Sequence, residues 1–399
     1  MPSVVLFQSV SQYQSLNTMA REIADAWEAR GVAARMVNLR RSGYEAIEAA
    51  VAGGDVRAVI TISGYGIVDP HPGGRLHGIY RNAGVPVVSL YFDPLFYYLD
   101  QLDAAVPGRL VTTTSDAEIG YWRSRPAPPA DIRSLPHGAA PVPAPARDWR
   151  ARDIPLLFSG SGPRDPEGMR LEWADHGRTV AGQLNRILEV HRAAAAPRPL
   201  DHIIAEAIGG EVDVSNPALL QPYFLTVDLY LRARLRWRLI SALADRPLTV
   251  VGDGWEALAE RLAGRRVRFL PAVDAAGVRE LIGRSRITLN TCTPHHGSHE
   301  RVFQAMAAGS LALTTPTGWF DREAPAGALV RLDPERDAAG PLVDDLLAAP
   351  ERAETLAETG RRWFLGHHTW SHRVDTLEGW LAPRGADGPT AGQNLMNTI

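Results

Sequence analysis

Apolar positions follow two alternating rhythms along the N-terminal part of the chain. Runs at 4–7, 34–37, 58–62, 87–91 and 110–113 are continuous and rich in β-branched residues. Between them, 16–30, 44–52 and 116–122 repeat their apolar positions every three or four residues, the first such stretch being stopped by Gly31. Continuous apolar strands separated by helices predict an α/β fold with a doubly wound parallel sheet covered on both faces. The alternation resumes further on, with strands expected at 156–159, 248–251, 267–270, 287–290 and 311–315 and a long helical region over about 171–244.

Between these two series lies a segment with repeated prolines, 126–155, which cannot continue a helix or a central strand. The expected organisation is therefore two Rossmann-like domains facing a cleft, 1–137 and 155–365, joined by a Pro-rich linker over 138–154. A final helical pattern at 366–382 is left over after the second series and is expected to cross back to the first domain. The tail 383–399 has the composition of a disordered end.

Length supports this division, since 399 residues are too many for one ordinary core. The 42 basic residues are all Arg, nearly cancel 45 acidic ones, and form no long block of like charge, so a nucleic-acid partner is not expected. Without lysine, a P-loop, a pyridoxal Schiff base and a protein-kinase phosphate grip are all excluded. A phosphate clamp in this chain has to use Arg, backbone N–H groups or helix N-termini. The single Cys292 excludes an internal disulfide and a multi-cysteine zinc site and suggests a cytoplasmic protein, and apolar runs far shorter than the ~20 residues that cross a bilayer lead one to expect no integral membrane protein.

In open α/β sheets ligands bind beyond the carboxyl ends of the strands, so the candidate chemistry is sought in those loops. Gly160, Ser161 and Gly162 follow one strand and suit the approach of an anion. Gly252, Asp253, Gly254 and Trp255 follow another; their glycines allow a base or ribose to come close, while Asp253 also reads as a helix cap. Pro271 and Val273 follow a third. The richest loop holds His295, His296, Gly297, Ser298 and His299 and opens a helix at Glu300 and Arg301, whose N-terminus and guanidinium would face a diphosphate. His295 and His299 have the spacing of paired metal ligands, but the H-E-x-x-H order is missing and no metal is expected. The alternating Arg232, Arg234, Arg236 and Arg238 read as the surface of a solvated helix.

The text HERVFQAMAAG, with GDGW after a strand and HTWSHR before the last helix, resembles bacterial glycosyltransferases of the GT-B fold, specifically the CgeB-like group. The likeness extends over most of 150–380 and is only architectural before that. It implies a nucleotide-sugar site in the second domain, with Gly252, Asp253 and Trp255 near the nucleotide. Two glutamates of related retaining enzymes correspond here to His296 and Gln304, which leaves Glu300 as the nearest acid. The first domain would hold the acceptor, with Asp93 and His71 at strand ends as candidate bases toward a hydroxyl.

The sequence thus points to a metal-independent glycosyltransferase that needs no cofactor beyond its nucleotide-sugar donor. Its acceptor would be a glycan, a protein or a small molecule. A sugar-nucleotide epimerase of the same fold and a non-catalytic nucleotide-sugar binder stand beside it as alternatives.

Overall fold

The computed structural model describes residues 1–382 except 10, 54, 68, 70–73, 103, 105, 107, 126–130 and 143–147. Candidate base His71 and the tail 383–399 therefore lie outside the described residues. Six strands form the first sheet: β1 (Ser3–Gln8), β2 (Ala33–Asn38), β3 (Val56–Ile62), β4 (Val87–Leu90), β5 (Leu110–Thr113) and β6 (Asp131–Ser134), in the order β2-β1-β3-β4-β5-β6. The second comprises β7 (Ile154–Ser159), β8 (Leu248–Val251), β9 (Val267–Leu270), β10 (Ser285–Asn290), β11 (Leu311–Thr314) and β12 (Val330–Arg331), in the order β12-β11-β10-β7-β8-β9. Every pairing is parallel. The chain is an α/β protein with two doubly wound parallel sheets, as the continuous apolar runs predict.

Strand order reverses between β7 and β10 in the second sheet. The loops that follow these two neighbours part at their carboxyl ends, which opens a crevice there. Gly160–Ser161 follows β7, and the three-histidine loop follows β10.

The region 171–244 is not one helix. It divides into Pro166–Glu172, Arg178–Ala193, Leu200–Ile208 and Pro217–Ala242, with proline and glycine punctuating the joins. The last begins with Asn216 accepting from the Ala218 N–H at 3.0 Å and with Pro217 in its first turn. Its N-terminal part, Leu220 to Leu231, shares a core with Tyr91, Leu95, Phe96, Val111 and Trp122 of the first half. Its C-terminal part, Trp237 to Ile240, is buried against strands of the second sheet. One helix thus spans both halves, and its middle passes the cleft.

Two further crossings lie side by side. Ala139 pairs with Thr369, and the Trp370 N–H donates to the Ala139 carbonyl at 3.2 Å. Beyond this point the helix Trp370–Leu381 returns to the first half. There Trp370, Val374 and Leu377 are buried with Val4, Leu6, Ile23 and Trp27, each apolar side chain contributing roughly 1.5–3 kcal/mol. The proline-rich stretch also contains β6, which sequence rhythm missed because a four-residue edge strand with Asp131 and Arg133 carries little apolar pattern.

Candidate functional site between the two sheets

Two adjoining cavities occupy the crevice. One, of about 140 Å³, is lined by Gly160, Ser161, Gly252, Val273, Arg301 and Gln304, with Tyr13 and Ser15 reaching in from the first half. The other, of about 170 Å³, lies between the sheets and is lined by Asp93, His137, Arg232, Arg236, His296 and His299 among others. Glu300 lines both. A larger cavity of about 260 Å³ lies behind the Cys292–Pro294 segment and is lined by none of the candidate catalytic or donor-binding residues expected from the sequence.

The first cavity is shaped by loop packing. A Cβ at Gly252, whose φ is +146°, would stand 2.2 Å from the Gly160 carbonyl oxygen, so this glycine serves contact between the β7 and β8 loops as well as the cavity. Trp255 is buried: its indole N–H donates to the same carbonyl at 2.8 Å and its ring meets Phe158 edge-on. It props the loop from behind. Asp253 caps no helix. Its Oδ1 accepts from the Ala272 N–H at 3.0 Å and its Oδ2 from the Tyr13 hydroxyl at 2.9 Å, which ties the rim to the first half. Val273 lines the wall, whereas Pro271 is exposed outside it.

The helix Glu300–Ala307 starts where expected, and His299 is its N-cap, its Nδ1 accepting from the Arg301 N–H at 3.2 Å. His295 and His299 therefore part company, because His295 turns its Nε2 to Asp228 at 2.8 Å. Gly297 and Ser298 face the first half. A Cβ at Gly297 would lie 1.7 Å from the Thr114 carbonyl oxygen, and the Ser298 hydroxyl accepts from the His137 backbone N–H at 2.8 Å. The two residues seat the loop on the opposite sheet and line neither cavity.

The arginine row is not a solvated face. Residues four apart share a side of a helix, so Arg234 and Arg238 both turn to Glu335 while Arg232 and Arg236 turn to the cleft. Asp228 continues the latter stripe. Its carboxylate is fully buried and accepts from the Tyr97 hydroxyl at 2.6 Å and Thr293 Oγ1 at 3.2 Å as well as from His295. Burial alone would raise this carboxyl, but Arg232 and the histidines outweigh it and hold it well below the ordinary range. Arg232 in turn reaches Asp93 Oδ1 at 3.2 Å and His296 Nε2 at 2.7 Å. Since the guanidinium only donates, Nε2 is the acceptor and the imidazole proton sits on Nδ1. Burial, then Arg232, pushes His296 down to about 4. His137, beside the loop, is pushed by burial to about 3.

Arg236 and Arg301 differ from the rest of the cleft cations. Arg236 donates to the Ser161 carbonyl at 2.8 Å, and the Arg301 guanidinium lies 3.9 Å from a Cβ built on Gly160. Neither has a carboxylate within ion-pair distance among the described residues. Desolvation and then Arg301 push Arg236 down to about 10, and Arg301 is lowered by desolvation too. Two half-buried positive charges thus face one strand end and repel each other.

Sequence reasoning missed Asp228, Arg232, Arg236, His137 and Tyr13. For the first three a signal was present: Asp228, Arg232 and Arg236 recur every fourth position and so share one side of the helix. His137 and Tyr13 reach the site only through chain crossing and carry no comparable signal.

Residues 232–379 match the family model described as glycosyl transferase-like. This segment, a little over a third of the chain, is thus similar to a glycosyltransferase domain. The overall shape of the chain agrees, being similar to sucrose-phosphate synthase from Thermosynechococcus elongatus at TM-score 0.55 and 15% identity, over 95% of this chain and 98% of that one. Anabaena HepE in complex with UDP and glucose gives 0.53 and 11%, over 95% and 99%. An alpha-glucosyltransferase in complex with UDP and a 13-mer DNA gives 0.56 and 9%, again over 95% and 99%. These structures share the two-sheet GT-B fold with this chain. Comparison with curated protein sequences gives no match. Among the described residues no helix is long and apolar enough to cross a membrane.

Proposed function

We propose that this glycosyltransferase moves a sugar from a nucleotide-sugar donor to an acceptor hydroxyl, with the nucleotide in the Gly160–Gly252–Gln304 cavity and the acceptor in the cleft beside Asp93. One observation carries this reading. Arg236 and Arg301, paired with no carboxylate among the described residues, converge on the strand end and helix N-terminus where a diphosphate would lie.

Holding two guanidiniums together in a desolvated place is costly, and an anionic leaving group relieves that cost most when its charge is greatest. As the bond from the sugar's anomeric carbon to the diphosphate oxygen breaks, the electron pair stays with that oxygen. Arg236, Arg301 and the helix N-terminus stabilise it. Asp93 opens onto the cleft cavity and is the candidate base for the acceptor hydroxyl in an inverting reaction. The neutral His296, with its Nδ1–H, presents a hydrogen-bond donor where a related retaining enzyme would have a carboxylate. The CgeB-like assignment, metal independence and a cytoplasmic place, expected from the single cysteine, belong to the same proposal. So does an acceptor that is not a nucleic acid, expected from the charge balance.

The test is a panel of nucleotide sugars, beginning with uridine donors because two of the similar structures are UDP complexes. Consumption of one donor, with release of its nucleoside diphosphate in the presence of a hydroxyl acceptor, is expected. Conversion of the donor without an acceptor would replace the reading with an epimerase, stabilisation without turnover with a binder, and no effect from any donor would end it.

A further inference from the structure

Glu300 occupies a place that the transfer reaction alone does not explain. It opens the helix beneath the two unpaired arginines and lines both the nucleotide cavity and the cleft cavity. Its Oε1 accepts from Gln304 Nε2 at 2.6 Å, and Oε2 has no hydrogen-bond partner among the described residues. A carboxylate in this position would meet the diphosphate anion directly. A carboxylic acid would instead give that anion a donor.

The groups facing it decide between these forms. On its own helix stand Arg301 and Gln304. From the helix Ser15–Glu28 comes Glu22, which raises Glu300 further, and from the helix Ala275–Arg284 comes Arg279. Arg279 is already spent on Glu22, its NH1 lying 2.7 Å from Glu22 Oε1, while Glu22 Oε2 accepts from the Trp370 indole at 2.9 Å. The cleft cavity adds the neutral His137, His296 and His299, the cation Arg236, and Asp93 and Arg232, which are paired with each other. Arg301 is thus the main attraction that favours ionised Glu300. A bound diphosphate would claim Arg301 and add its own negative charge, removing that attraction and replacing it with repulsion.

Resting on the nucleotide-sugar reading above, we propose that Glu300 is protonated whenever a nucleoside diphosphate occupies the site, its carboxylic O–H being one of the hydrogen bonds that hold the diphosphate. Donor binding is then coupled to uptake of a proton. The empty site already leans this way, since burial raises the Glu300 carboxyl to about 7 despite Arg301. Below that pH the proton is present beforehand and binding takes up none. Above it the proton must be collected, and the donor affinity falls by up to about tenfold per pH unit.

The experiment is calorimetric titration of the full chain with UDP-glucose, GDP-mannose and dTDP-glucose, whose phosphates do not titrate near neutrality, in buffers of different ionisation enthalpy from pH 6 to 8.5. The expected result is uptake of nearly one proton at pH 8 and little at pH 6. Glu300→Gln should bind with an affinity flat over this range and no uptake, and Glu22→Gln should keep the uptake. Binding without proton uptake at pH 8, or uptake that persists in Glu300→Gln, overturns the inference and leaves the donor reading standing. Failure of every donor to bind at any pH removes the donor reading, and the inference with it. The wild-type measurement alone decides the case if the glutamine variant does not fold.

Discussion

Arg232 stands one helical turn after Asp228, its Nε 2.7 Å from Asp228 Oδ2, on the helix that joins the two halves of the molecule. The pair is more than a surface ion pair, because Asp228 is inaccessible to water and also receives Tyr97 from the first half and His295 from the second. Removing Asp228 leaves Arg232 with only the water-exposed Asp93 as counter-charge, and breaking a buried pair of this kind typically costs about 3–5 kcal/mol. Asp228→Asn should therefore lower the melting temperature sharply. The double variant Asp228→Asn, Arg232→Met should recover a substantial part of the loss, and thermal melts of the three proteins check this. Equal instability of the single and double variants would contradict it.

Arg301 carries the opposite expectation. Its charge is desolvated and has no ion-pair partner among the described residues, so the folded protein gains little from it. Arg301→Ala should leave the melting temperature unchanged or slightly raised while turnover falls on the order of a hundredfold, with a smaller change in donor binding. Kinetics and melting measured on one preparation check both halves of the statement. A folded variant with near-normal turnover would take Arg301 out of the mechanism.

The Tyr13 hydroxyl closes the rim of the nucleotide cavity by its bond to Asp253. The contact is exposed, so water can replace the hydroxyl at Asp253 and the fold loses little when it is removed. Tyr13→Phe should raise the KM for the donor by roughly fivefold with no change in melting temperature. A change in kcat alone would show that the bridge acts on the chemical step instead.

One group among the described residues has metal-ligand spacing: Asp228, His295 and His296. Its carboxylate is already engaged by Arg232, Tyr97 and His295, and a guanidinium nitrogen stands 2.7 Å from His296 Nε2. A cation there would have to displace another cation. Activity should survive EDTA and gain nothing from added Mg²⁺ or Mn²⁺; activity lost to the chelator and restored by either ion would show that the site rearranges to take a metal.

How far the sequence carried this reading depends on the range of the interaction. Strands such as Val56–Ile62 and Leu311–Thr314 are legible because a strand buried on both faces must be apolar throughout. The Glu300 helix is legible because its start and its stop at Gly309 are local chemistry. Asp228 was not, since a single acid inside an apolar helix means little until Tyr97 and His295 are brought to it from elsewhere in the chain. The arginine alternation misled for a related reason. Read two residues at a time it surrounds a helix; read four at a time it separates a surface pair from a cleft pair. Asp253 looked like a cap because helix caps are local, whereas its partners Ala272 and Tyr13 come from other loops.

The returning helix Trp370–Leu381 also bears on how the protein is made. Trp370, Val374 and Leu377 complete a core whose other buried members, from Val4 to Leu135, are translated before the second sheet. While the ribosome works through the second sheet, the first must wait with that apolar face open. Its folding cannot finish in the order of synthesis, and the nascent chain has to be protected from association during that interval. The two halves are thus separable in architecture but not in their biogenesis: a helix made after the second sheet seals the core begun before it.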